Sequence, residues 1–176
     1  WDVGAKTHAK FKAWANDRKS KGFTVMQVRY ADPAESNEGK LPYGPSPGTN
    51  FNTLNPGYFK ELDKRMKYLF DLGFVVAGHP DWLAQSKYDL TEAKNISRYL
   101  MARYGAYPLV WSLSGEYNDA PSYWSGNNYA RLNELGTFMQ GRNPFKHPMS
   151  IHPGGTDPGA PAPNKQSSAH HFHSKA

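Results

Sequence analysis

The sequence predicts an α/β fold, because segments with helical periodicity alternate four times with short apolar segments. The apolar segments are continuous rather than alternating with polar residues, which is typical of parallel strands covered by helices. No strand is followed by the glycine-rich loop with which doubly wound sheets usually bind nucleotides. A barrel fits better, and 176 residues are short of the about 250 of a complete eight-stranded α/β barrel. We therefore expect a partial (β/α)8 TIM barrel, about half a barrel.

Eight elements are predicted from periodicity and from the residues at their ends. In chain order they are helix 7–21, strand 23–30, helix 56–72, strand 74–78, helix 91–104, strand 109–116, helix 128–141 and strand 149–151. Gly22 ends the first helix, Pro56 suits the first turn of the second, and Thr91 is predicted to cap the third. The helix residues predicted to face the core are Phe11, Trp14 and Ala15, then Phe59, Leu62, Met66, Leu69 and Phe70, then Ile96, Tyr99 and Leu100, then Leu132, Leu135, Phe138 and Met139.

Each predicted strand is a short run of aliphatic, β-branched and aromatic residues that stops at polar side chains. The residues at these ends are Gln27, Arg29 and Tyr30, then His79, Asp81 and Trp82, then Glu116, Tyr117 and Asn118, then His152. Barrel enzymes carry their chemistry at the carboxyl ends of their strands, so we expect an active site there. The long segment 31–55, rich in Pro, Gly, Asn and Ser, is predicted to be an active-site loop.

Composition excludes several classes of protein. A hydrophobic share of 38% suits a folded chain, and no run approaches the roughly 20 apolar residues that cross a bilayer, so no membrane span is expected. The net charge of +6 comes from lysines spread over predicted helix faces without a nucleic-acid motif, so no nucleic-acid partner is expected. The absence of cysteine excludes disulfides and cysteine-ligated metals. The chain opens at Trp1 without a methionine or a leader, and we expect it to be an internal piece of a longer protein.

Four stretches together resemble the apiosidase-like glycoside hydrolases, which are (β/α)8-barrel enzymes related to a large clan of retaining glycosidases. These stretches are 17–28, 55–59, 111–116 and 151–155, and the resemblance runs from Trp1 to about His173. It implies that the strands present are the second to the fifth of the barrel. The seventh strand, where the clan carries its nucleophile, would then lie outside this chain. The family's fourth strand typically ends Trp-x-Leu-Gly-Gly-Asp, whereas this chain has Ser114 and Glu116 in place of a glycine and the aspartate.

The resemblance implies that Glu116 is the general acid/base. From the residues alone, a carboxyl among Trp111, Tyr117 and Trp124 can have its pKa raised by desolvation, as a general acid needs. The alternative is that Glu116 caps the next segment or pairs with an arginine.

The other residues at the strand ends have two interpretations each. His79 and Asp81 are predicted to hydrogen-bond a sugar or to orient Glu116. The alternative is that His79 is a strand-end histidine before a turn. Arg29 either lies in the site or clamps the loop through Asp32 or Glu35. His152 has the same two interpretations as His79, and the resemblance favours a site role for it. Gln27 and Asn118 are further predicted substrate-binding residues. Trp82, Tyr117 and Trp124 are predicted to stack on sugar rings, whereas Trp14 and Trp111 are better explained as core.

The segment 154–176 is rich in Pro, Gly and His, and its histidines could suggest a metal. No spaced ligand set such as HExxH accompanies them, so we predict a loop and no metal site.

The sequence as a whole predicts one partial catalytic barrel domain, 1–176, of a glycoside hydrolase acting on polysaccharide or oligosaccharide, secreted or periplasmic. Glycosidic cleavage by two carboxyl groups needs no cofactor. The alternatives are a cellulase-like endo-glycanase of the same clan and a non-catalytic carbohydrate-binding or structural half-barrel. The remaining strands are expected from the rest of the polypeptide or from another copy, because a half barrel exposes two bare edges.

Overall fold

The computed structural model describes residues 7–31, 38–43, 53–80, 89–115 and 128–152. For residues 128 and 129 it describes the backbone only. Four helices alternate with four strands in this part of the chain. In chain order they are α1 (His8–Ser20), β1 (Val25–Arg29), α2 (Pro56–Asp71), β2 (Val75–His79), α3 (Leu90–Tyr104), β3 (Leu109–Ser112), α4 (Asn128–Gln140) and β4 (Met149–Ser150). This confirms the predicted order of elements.

The strands form one parallel sheet in the order β1-β2-β3-β4. Each strand is added beside its predecessor, so the right-handed crossovers place successive helices on the same face of the sheet. In a doubly wound sheet the order in which strands are added reverses at some point, and the order of the described strands does not. The sequential order therefore supports the predicted partial barrel.

The core lies between the sheet and the helices. Trp111 and Tyr30 are among its largest fully buried side chains, with ring centroids 6.1 Å apart. Trp111 was expected to be core and is confirmed as such, and Trp14 packs against the same cluster. Gly78 leaves room for Tyr30, since a Cβ on Gly78 would come within 2.3 Å of the Tyr30 ring. Small and large residues on neighbouring strands thus fit together.

The helix ends follow local backbone rules, with one correction to the predictions. Gly22 and Gly73 follow α1 and α2 with φ of 81° and 76°, a conformation that glycine adopts without strain. The predicted cap of the third helix, Thr91, is wrong, because Asp89 caps α3 through a reciprocal pair with Glu92. Asp89 accepts a hydrogen bond from the Glu92 backbone N–H, and the Glu92 carboxylate accepts one from the Asp89 N–H.

The strands are shorter than predicted at several ends. The first begins at Val25 rather than Phe23, since Phe23 and Thr24 precede the paired residues. The third ends at Ser112 rather than Glu116, because its partner β4 has only two regularly paired residues. Two backbone bonds continue this ladder beyond the regular strands, from Leu113 N to Ser150 O and from His152 N to Ser114 O.

The described parts of the long loop 31–55 are tied to each other. Tyr43 and Leu54 form an isolated antiparallel bridge, and Asn55 N–H donates to the carbonyl of Pro42 over 2.9 Å. Asn55 also caps α2, as its side chain accepts from Gly57 N–H. No helix in the described residues combines the length and the apolar character needed to cross a membrane.

Candidate active site

Four of the predicted site residues come together at the carboxyl end of the sheet. Arg29 and His79 are partners in the register of β1 and β2. The His79 ring lies nearly parallel to that of His152, with centroids 6.5 Å apart. Gln27 completes the group, with its Nε2 atom 3.2 Å from His152 Nδ1. The fold therefore gathers into one place residues that are up to 125 positions apart in the chain.

The contact between Gln27 and His152 shows that the sheet is curved. Gln27 lies on β1 and His152 two residues after β4, and in a flat sheet these outermost strands would be about 14 Å apart, or three strand spacings, with side chains parallel. Only a sheet that curls around these side chains turns them toward one another. The concave face is the one that a barrel encloses, so the four residues lie on the inside of the partial barrel.

His79 is 4% exposed and ends β2 within this cluster. Burial, with the charge of Arg29 and then that of His152 adding to it, lowers the pKa of His79 to about 4. Its imidazole is therefore neutral near pH 7, with one nitrogen as donor and the other as acceptor. Both ring nitrogens are buried, so in this structure His79 supports the site from beneath its surface.

Sequence reasoning did not single out the serines of the same face. Ser112 and Ser150 are register partners on β3 and β4, and both Ser112 and Ser114 are buried. Ser114 Oγ donates to the Gly115 carbonyl over 3.2 Å, whereas Ser112 Oγ has no hydrogen-bond partner among the described residues. The signal was present as the alternation of Trp111, Ser112, Leu113 and Ser114, which puts the serines on one face.

A second cluster that the sequence did not reveal anchors the loop after β1 to the helices. Glu61 of α2 lies 2.9 Å from His8 Nε2, 2.8 Å from Lys64 Nζ and 3.4 Å from Lys40 Nζ. Hydrogen bonds from Lys64 and His8 lower the pKa of Glu61 to about 2, so it is ionised near neutral pH. Since Lys40 belongs to the loop, this carboxylate holds part of the loop against α1 and α2.

The remaining predicted site residues lie outside the described part of the chain. They are Asp81, Trp82, Glu116, Tyr117, Asn118 and Trp124. Glu116 directly follows Gly115, the last described residue after β3. The Pro/Gly/His-rich segment 154–176 is also outside it, and the described residues contain no group of three or more potential metal-ligating side chains.

The described cluster is polar and has one permanent cation. Gln27, Arg29 and His152 are at least partly exposed and offer donors and acceptors on the concave side, whereas the polar atoms of His79 and Ser112 are buried beneath them. This arrangement can orient a hydroxyl-rich ligand against an acid placed at the same edge, and Arg29 can stabilise negative charge beside it.

Comparison with known proteins gives a family match over the whole chain. The family model of the apiosidase-like catalytic domain matches residues 1–176. A search of curated proteins finds no match.

Solved structures share the fold at low sequence identity. A glycoside hydrolase has a TM-score of 0.66 and 20% identity, over 85% of this chain and 34% of its own. A candidate glycoside hydrolase from Bacteroides vulgatus has a TM-score of 0.62 and 16% identity, over 80% and 32%. A GH5 xyloglucanase from Bacteroides ovatus, in complex with a heptasaccharide, has a TM-score of 0.53 and 14% identity, over 74% and 29%. This chain thus spans about a third of the length of these proteins, and its fold is part of a (β/α)8 barrel.

Proposed function

Since this chain belongs to the family of apiosidase-like catalytic domains, we propose that it forms part of the active site of a glycoside hydrolase, with Glu116 as general acid/base. The observation that carries this proposal is the convergence of Gln27, Arg29, His79 and His152 on the concave face, at the strand edge that Glu116 follows. Active sites of α/β barrels are built at this edge.

The position of Glu116 in the sequence suits the role. Along β3 and its extension, the even-numbered Ser112 and Ser114 alternate with the core residue Trp111. If this alternation continues through Gly115, the Glu116 carboxyl shares the concave face with the serines. In this proposal Asp81, Trp82, Tyr117, Asn118 and Trp124 complete the substrate-binding surface together with the four described residues.

The reaction needs a second carboxyl group. In the retaining mechanism a carboxylate nucleophile attacks the anomeric carbon, while the acid donates its proton to the departing glycosidic oxygen. The same acid, now ionised, then takes a proton from the water that releases the sugar from the enzyme. We assign the role of nucleophile to a residue outside these 176, consistent with the longer chains of the matched structures. We assign the role of acid and then base to Glu116.

The described residues have clear parts in this scheme. In this proposal the Gln27–His152 pair holds sugar hydroxyls, buried neutral His79 packs against His152, and Arg29 stabilises negative charge next to them. No cofactor takes part. We propose polysaccharide or oligosaccharide as substrate and a secreted or periplasmic location, since such polymers are met outside the cytoplasm.

The proposal is tested by Glu116→Gln in the native polypeptide. General acid/base catalysis contributes about 10²- to 10⁴-fold, so we expect a loss of that size in kcat on a glycan with a poor leaving group. An aryl glycoside with an acidic phenol as leaving group needs little protonation, and its first step should be much less affected. The matched control is Glu134→Gln, which removes an exposed carboxylate of α4 and should leave kcat unchanged.

Two results would contradict this assignment. Equal losses in kcat/KM, which reports the first step, for both substrates would mean that Glu116 does not act by protonating the leaving group. Glycan binding without hydrolysis by the unaltered polypeptide would instead favour a non-catalytic carbohydrate-binding protein.

A further inference from the structure

The loop that follows β1 is bound to the helix layer beside the candidate active site. It leaves the sheet after Arg29 and returns to it through α2, which begins at Pro56. The first turn of α2 therefore lies at the carboxyl edge of the sheet. Because α1 leads into the amino end of β1, the first turn of α1 lies at the same carboxyl edge. The described part of the loop contacts both of these turns.

Glu38 holds the loop on the first turn of α1. Its carboxylate accepts a hydrogen bond from the backbone N–H of His8 and lies 3.9 Å from His8 Nε2. The first N–H groups of a helix have no partner within it, so an acid is favourable at this end. Glu38 has a φ of 50°, in the left-handed region that residues other than glycine seldom adopt. Such a conformation costs free energy and persists where the surrounding contacts hold it.

Glu61 holds the same part of the loop from the side of α2. Its carboxylate contacts Lys40 of the loop and His8 of α1, and it also pairs with Lys64 on its own helix. The side chain of Glu61 is only 15% exposed, so water screens these pairs less than the pairs on the outer helix faces. His8 thus interacts with two carboxylates, one from the loop and one from α2.

A buried cation interacts with both carboxylates. Arg65 of α2 is 5% exposed, and its guanidinium carbon lies 5.2 Å from the centroid of the Phe11 ring. Burial lowers the pKa of Arg65, and the negative charges of Glu38 and Glu61 act in the opposite direction. Because a buried cation needs negative charge nearby, displacing the loop would leave Arg65 less well compensated. We call this group the clasp, and its members are His8, Glu38, Lys40, Glu61 and Arg65.

Further hydrogen bonds fix the two ends of the loop. Tyr58 Oη of α2 donates to the Tyr30 carbonyl over 2.7 Å, at the point where the loop leaves β1. Asn55 Nδ2 donates to the Leu41 carbonyl over 2.9 Å, just before α2 begins. Both described parts of the loop are thus held to each other or to the helix layer.

We propose that Glu38 and Glu61 are positioning residues, which hold the segment 38–43 as a fixed rim of the active site that contacts a long glycan beyond the bond being cleaved. This inference rests on the proposed function. Since β1 ends at Arg29, the loop starts beside the candidate site, and Leu41 on the rim is 44% exposed to whatever lies there. A rim that is already fixed loses little entropy when the glycan contacts it. Breaking the clasp should therefore weaken binding of a long glycan without slowing the chemical step.

The test is Glu61→Gln in the native polypeptide, with the glycan and the aryl glycoside used for Glu116. We expect KM for the glycan to rise about five- to tenfold with kcat unchanged. Both constants for the aryl glycoside, which is too short to reach the rim, should stay the same. Amide hydrogen exchange of the segment 38–43 should become faster in the same variant. The matched control is Asp71→Asn, which removes an exposed carboxylate of α2 and should change neither exchange nor KM.

A second variant approaches the clasp from the loop. Lys40→Gln leaves both helices unaltered and should raise KM for the glycan in the same direction as Glu61→Gln. Because the two residues act through one contact, the double variant should raise KM by less than the product of the two single effects. This prediction remains testable if Glu61→Gln itself prevents folding.

Three results would overturn the inference. They are exchange of 38–43 that the clasp variants leave unchanged, a rise in KM that is equal for the two substrates, and a rise that Asp71→Asn reproduces. Failure of the proposed function gives a different result, since a native polypeptide that cleaves neither substrate contradicts it directly. The kinetic part of the inference then falls with the proposed function, whereas hydrogen exchange still shows whether the clasp holds the rim.

Discussion

His79 links the candidate site to the stability of the fold. Its pKa is lowered from 6.5 to about 4 by burial and by nearby Arg29, so between these pH values the unfolded chain binds more protons than the folded one. Stability from this residue is therefore complete above pH 6.5 and is lost as the pH falls toward 4, by roughly 3 kcal/mol in total. We expect His79→Gln to flatten the dependence of unfolding free energy on pH in this window, as measured by urea denaturation.

The matched control for His79 is Ser150→Ala. Ser150 lies on the same face but has no group that titrates in this range. In the Ser150→Ala variant the unfolding free energy should depend on pH as steeply as in the unaltered protein. If His79→Gln left the pH dependence of the unfolding free energy unchanged, the pKa of His79 would not be lowered in the folded protein.

At the scale of single residues, the sequence could identify which side chains lie at strand ends but not which of them touch. Gln27, Arg29, His79 and His152 were predicted because each ends a predicted strand. The contact between Gln27 and His152 depends on the curvature of the whole sheet, which no local pattern encodes. The roles of these residues in binding remain predictions.

Among the elements, α3 offers a direct test of how its first turn is stabilised. Asp89 caps the helix and exchanges hydrogen bonds with Glu92, so Asp89→Ala should lower the unfolding free energy by about 1 kcal/mol. Thr91 lies inside the first turn, where alanine is the better helix former, so Thr91→Ala should be neutral or slightly stabilising. Thermal or chemical denaturation of the two variants measures the difference. If Thr91→Ala lowered the unfolding free energy more than Asp89→Ala, Thr91 would be the cap, as the sequence predicted.

Helix boundaries were more predictable than strand boundaries, for a physical reason. The apolar faces of α1 and α2 and the residues at their ends are local, and the predicted helices agree with the structure to within one residue at each end. A strand ends where its neighbour stops pairing, and that neighbour is distant in the sequence. The third strand was accordingly predicted to continue to Glu116, four residues beyond its regular pairing.

For the molecule as a whole, the order of elements was enough to predict the architecture. Four helix–strand repeats with continuous apolar strands indicated a parallel sheet, and the sequential order of β1 to β4 agrees with part of a barrel. The sequence could not show how tightly the sheet curls, because the curvature depends on packing between strands far apart in the chain. Val25, on the same face as Gln27, is 48% exposed in the structure.

The sheet edges predict how a polypeptide of only these 176 residues behaves. Within the described residues β1 and β4 each pair on one side, and bare parallel edges are templates for association. We therefore expect no cooperative monomeric melt by calorimetry, and a mass by light scattering that increases with concentration. Val25→Lys places a charge at the exposed start of the edge strand β1 and should reduce this association, whereas Ala130→Lys, at an exposed position of α4, should not. A single sharp transition at monomeric mass, independent of concentration, would instead show that four strands and their helices suffice for an autonomous fold.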